Sequence, residues 1–151
     1  SELMSIIKTE ISGLDDLKKS LNKLGLKLAD NAIKYLNKSA VQIHGTIIKG
    51  FDAGGKTGNT YFVPKTKVKY TASSAGEYPA VATGNLKRGT TITYANMQDK
   101  TAYVIARAEY AEALEYGTRT TKARPFMKPS LEANKKNISK NIKQAIKQVT
   151  K

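Results

Sequence analysis

From Leu14 to Ile47 the apolar positions fall at 14, 17, 21, 24 and 28, then at 33, 36, 40, 43 and 47, a three-four alternation that shifts phase once near Asp30. Such a stripe is what one face of an α-helix offers a core, and an alternating strand does not produce it. The N-terminal third must therefore lay a long helix, or two in series, against something apolar. Ser12 can cap the first piece, Asp15 and Asp16 suit its first turn, and Gly25 offers a break. The expectation is a short helix over 13–24 and a longer one over 26–49, buried against a sheet of the same domain.

Punctuation then changes. Gly50 to Gly58 holds four glycines with Asp52 and Lys56 and reads as a flexible loop. Tyr61-Phe62-Val63 and Lys67-Val68-Lys69-Tyr70-Thr71 are rich in β-formers around Pro64, which suits two short strands or an exposed hairpin arm. Ala72 to Pro79 is small and polar, another loop. Thr83 reads as the cap of one or two helical turns through Leu86 and Arg88, ended by Gly89. Thr90–Tyr94 and Thr101–Ala106 read as an antiparallel hairpin around Asn96-Met97-Gln98-Asp99-Lys100. Tyr110 to Tyr116 is a short helix closed by Gly117 in a left-handed cap. Pro125 and Pro129, lacking N–H donors, suit the approach to a helix and its first turn, with Phe126 and Met127 between them as an apolar plug. In the last helix, 129–149, Leu131, Ile138, Ile142, Ala145, Ile146 and Val149 form one stripe expected to pack. Lys136, Lys140, Lys143 and Lys147 lie opposite.

The expected fold is α+β: a long N-terminal helix and a C-terminal helix packed on one face of a small antiparallel sheet, with 50–80 as a projecting loop or arm. A chain of 151 residues supports one domain. It has no cysteine, which excludes disulfides, thiolate metal sites and cysteine catalysis, and is compatible with a reducing intracellular origin. No apolar run approaches the roughly 18 residues of a membrane span, and the N-terminus lacks the basic-then-apolar order of a signal peptide. The chain reads as soluble and cytosolic when made, with no membrane partner. Ser1-Glu2-Leu3 ahead of Met4 has the look of a cloning remnant.

The net charge of +14 is concentrated at one end, since residues 119–151 carry 10 basic residues against one acidic. Such a block attracts phosphate backbone or an acidic protein, or simply forms a solvated face. Lysine dominates it over arginine, which argues against reading of base edges. Lys65, Lys67 and Lys69 on the arm, with Lys136, Lys140, Lys143 and Lys147 on the last helix, are the candidate interface or DNA contacts. Tyrosines interleaved with the arm lysines fit a single-strand platform, but fit a half-buried sheet better.

Catalytic readings are weak. Gly50-Phe51-Asp52-Ala53-Gly54-Gly55-Lys56-Thr57 satisfies the nucleotide-binding spacing Gly-x4-Gly-Lys-Thr, yet that motif needs a buried strand before it and a helix after it. Here helical periodicity precedes and β-formers follow. His44 is the sole histidine and reads as a partly buried or surface side chain. Glu109, Glu112 and Glu115 read as an exposed helix face, and Ser73-Ser74 lacks an activating base. No catalytic, cofactor or metal residue is assigned.

Four pieces occur in order: Thr83-Gly84-Asn85-Leu86-Lys87-Arg88, Tyr110-Ala111, Glu115-Tyr116-Gly117-Thr118 and Pro125-Phe126-Met127-Lys128-Pro129-Ser130-Leu131-Glu132. Together they resemble the gene-product-ten family of HK97-type tailed phages, whose members are tail-completion or head–tail joining components. The resemblance implies a virion-assembly protein that binds and closes, without cofactor or catalysis. It would act as a ring-forming, hexamer-like subunit at the neck, beside neighbouring connector and tail proteins. It would be found in the host cytoplasm during assembly and then in the virion. Thr83, Gly84, Leu86, Tyr110, Glu115, Gly117, Pro125, Phe126, Pro129 and Leu131 would hold the fold around the motif. The competing class is a basic nucleic-acid-binding protein acting outside a virion, which would bind duplex DNA tightly as an isolated monomer.

Overall fold

A computed structural model describes residues 14–53, 55–63 and 65–150. Its element order is α1 (Leu14–Asp52), β1 (Thr60–Phe62), β2 (Lys69–Thr71), α2 (Asn85–Gly89), β3 (Thr90–Thr93), β4 (Tyr103–Ala106), α3 (Ala111–Tyr116) and α4 (Met127–Val149). The architecture is α+β, as the sequence implies, but it carries two separate two-stranded antiparallel sheets, β1–β2 and β3–β4.

The N-terminal periodicity resolves into one helix, not two. α1 runs unbroken for 39 residues, about 58 Å at 1.5 Å per residue. Gly25 sits inside it among strong helix formers, and one glycine costs a helix only about 1 kcal/mol. The phase shift near Asp30 therefore rotates the stripe without breaking the backbone. Ser12 lies outside the described residues. The same helix absorbs the start of the expected glycine loop: Gly50, Phe51 and Asp52 are helical, and Phe51 is buried in the core. Gly50 is needed there because a Cβ would overlap the ring of Tyr78.

α1 and α4 pack side by side. Asn141 bonds Ser39, Asn134 bonds Thr46 and Gln148 bonds Tyr35, so rising numbers on one helix meet falling numbers on the other and the pair is antiparallel. The main neighbour of α1 is thus α4, with β3 and β4 contributing less. The hairpin registers Thr90 with Ala106 and Thr93 with Tyr103, and Asn37 holds its far end by bonding both the N–H and the carbonyl of Ala95. Where these elements meet, Ile47, Phe51, Leu86, Ala111 and Phe126 form a compact core. Residues 22–28 of α1 lie beyond it, all exposed.

Candidate functional site

Glu115 organises the motif that stood out in the sequence. Its carboxylate accepts N–H bonds from Phe126 (2.8 Å), Met127 (2.9 Å) and Lys128 (2.9 Å). These are the unpaired donors that open α4, and a negative charge is favoured at a helix N-terminus. The next residue, Pro129, has no N–H to satisfy. One side chain from α3 and one proline therefore complete the hydrogen bonding of the helix start, which lacks a side-chain cap of its own.

Around this clamp the other motif residues fix the backbone. Gly117 caps α3 with its N–H on the Ala113 carbonyl at 2.9 Å. Its φ of 76° is positive as expected, but ψ is 174°, so it leaves the helix extended instead of adopting a left-handed cap. A Cβ there would meet Ala123 N at 2.9 Å and Thr121 O at 3.0 Å, which reserves the position for glycine on two counts. Pro125 precedes the helix and Phe126, 1% exposed, drops into the core with its ring centroid 5.2 Å from that of Phe51. Gly84, not Thr83, caps α2, with φ 78° and no side-chain bond. Thr83 offers only its carbonyl, to Arg88, while Leu86 is buried. Tyr110 caps α3 through its backbone and keeps its ring exposed.

Helix α4 packs only part of the stripe expected of it: Ala145 and Val149 are buried and Ile138 is half-buried, but polar residues take the rest of the inward face. Its buried residues are Ser130, Asn134, Asn141, Ala145 and Val149, whereas Leu131, Ile142 and Ile146 are 44%, 55% and 51% exposed. A polar seam joins the helices. Asn141 donates to Ser39 Oγ (2.9 Å) and Gln42 Oε1 (2.8 Å), Asn134 donates to Thr46 Oγ1 (2.8 Å), and Gln148 donates to the Tyr35 hydroxyl (2.7 Å). Ser130 shares a hydrogen bond of 2.7 Å with Tyr78. Buried amides cost little when so paired, and no buried side-chain polar atom among the described residues lacks a partner. The seam was missed in the sequence, although the spacing of 130, 134, 137, 141 and 148 carries the same helical period as the apolar stripe.

The exposed part of the stripe builds an open apolar groove. Two contiguous hollows share Leu36, Ser39 and Ile138: one runs past Leu28, Ile142 and Ile146, the other past Tyr116, Met127 and Leu131. Half-exposed aliphatic side chains line its whole length.

The remaining expected contacts are separate from this groove. Lys65 and Lys67 stand exposed in the turn between β1 and β2, both at positive φ (70° and 56°), and Lys69 lies 5.5 Å over the ring of Phe62. Tyr61 stacks on Tyr70 across the same arm. Lys136, Lys140, Lys143 and Lys147 are exposed along one side of α4.

The nucleotide-like spacing takes on a different role. Gly50 to Asp52 end a helix, and Lys56 turns back to donate to the Gly50 carbonyl at 3.0 Å. The carbonyl end of a helix is its negative pole, opposite to what a phosphate needs. Burial pushes the Lys56 ammonium below its ordinary range, offset by the nearby charge of Glu77. Glu77 is held below the usual carboxylate range, chiefly by the Thr57 hydroxyl (2.6 Å) and by the Ser74 N–H (2.8 Å), and so ties the base of the arm to the loop before Tyr78. His44 is partly buried and bonds the Thr90 carbonyl at 2.9 Å through Nε2, joining α1 to β3. Another hollow, beneath Tyr70 and Val81, has Lys87 and Arg124 in its wall. Lys87 is ion-paired with Asp52 at 2.6 Å, and Arg124 bonds the Ser73 carbonyl.

Searches against protein-family models, curated proteins and solved structures found no match. Among the described residues no helix is long and apolar enough to cross a membrane.

Proposed function

We propose that this chain is a structural subunit of a tailed-phage neck, joining or completing the tail through a ring of copies that contacts neighbouring connector and tail proteins. The observation that carries the reading is the apolar groove of α1 and α4. A chain that seals its own helix pair with asparagine, serine and glutamine while leaving Leu36, Leu131, Ile142 and Ile146 exposed has an apolar face for a neighbour. Contiguous patches of that kind mark association surfaces.

The ordered motif supports the same reading from another side. Its residues are occupied in holding α3, α4 and the core together, as in a protein whose work is binding and closure. In that role the chain would be made in the host cytoplasm and finish in the virion. Deleting its gene from the phage that encodes it should leave filled heads and free, unjoined tails, with joining restored when the protein is supplied. Normal virions from the deletion, or a gene set among metabolic or replication genes instead of beside portal, capsid and tail genes, would sink the proposal.

A further inference from the structure

Helix α4 carries a third face besides the polar seam and the apolar stripe. At 100° per residue, Lys136, Lys140, Lys143 and Lys147 fall within about 60° of arc and along about 16 Å of helix. All four are exposed. Among the described residues the ion pairs are Lys87–Asp52 and Lys135–Glu132, and neither involves any of the four. No acidic residue occurs between Ala133 and Thr150. Ser139 and Gln144 fill the rest of the face, and no apolar side chain interrupts it.

This composition selects among anionic partners. A protein partner is gripped by an apolar centre inside a polar rim, and here the apolar residues sit on another side of the helix. A nucleic-acid backbone needs only a line of charge: over about 16 Å a duplex presents about five phosphates per strand. Lysine supplies point charges without the planar fork that reads base edges, so such a contact positions and does not specify.

We propose that the Lys136–Lys147 face is a binding site for the phosphate backbone of duplex DNA, engaged without regard to sequence. The site goes beyond the assembly role and stands or falls independently of it. Four phosphate contacts per subunit give weak, salt-sensitive binding that a ring of copies would multiply.

The test is fluorescence anisotropy of the full-length protein with two labelled duplexes of unrelated sequence, between about 50 and 200 mM salt. Both duplexes should bind equally. A variant carrying K136Q, K140Q, K143Q and K147Q should lose at least tenfold in affinity at the lower salt, and its slope of log affinity against log salt should flatten by ~3–4. A control carrying K19Q, K23Q, K27Q and K34Q, with the same net charge, should change the slope by less than one. Circular dichroism establishes that both variants keep their helices. Equal losses in the two variants, or no binding by the parent protein at low salt, would overturn the site. Polyglutamate binding as tightly as the duplexes would reassign it to acidic proteins.

Discussion

Glu115 shows how one residue can carry a fold without touching a ligand. Its two oxygens take the Phe126, Met127 and Lys128 amides, so replacing it by glutamine removes the charge and one of the two acceptors. Glu115→Gln is expected to cost about 1–3 kcal/mol of stability and to speed amide exchange at those three residues. Unchanged exchange there would show that the helix start is held by something else. The sequence reveals Glu115 and Gly117 as part of an ordered motif and places Phe126 as a plug. It hides the bond between them, because the partners lie eleven to thirteen residues apart and a capping box is recognised only at a separation of three.

At the level of elements, regular local signals were legible and tertiary choices were not. The β3–β4 hairpin, the short α3 and the start of α4 near the two prolines follow from alternation, helix formers and proline chemistry, all of which act over a few residues. The phase shift and Gly25 predict two helices in place of α1, yet the leucines and lysines around Gly25 propagate the helix across it. Nothing lies within 4 Å of a Cβ placed on Gly25. Gly25→Ala should therefore raise helicity by circular dichroism and stabilise the protein by about 0.5–1 kcal/mol. A loss of stability would mean that the backbone does break there. For α4 the period holds but only Ala145 and Val149 of the stripe are buried, since a periodic stripe says which residues share a face but not how much of it the chain covers. Asn134 and Asn141 win the inward position because Thr46, Ser39 and Gln42 answer their hydrogen bonds.

For the whole molecule, the helix-plus-hairpin α+β arrangement is legible from the order of elements and the lysine face of α4 from its charge pattern, while the apolar groove is not. Among the described residues the central cluster holds five buried hydrophobic side chains, and aliphatic residues left outside it line the groove between α1 and α4. Groove and lysine face occupy different sides of α4, so one helix can serve a neighbouring subunit and a charged polymer at once. The assembly account depends on the groove being an interface between copies. Its most direct test is the molar mass in solution, measured by light scattering as protein concentration rises, for the parent chain and for a variant carrying I142E and I146E. The account predicts that the parent passes from monomer to a closed oligomer while the variant, equally helical, stays monomeric. A parent that remains monomeric at the highest concentrations, or a variant that assembles as the parent does, would contradict it.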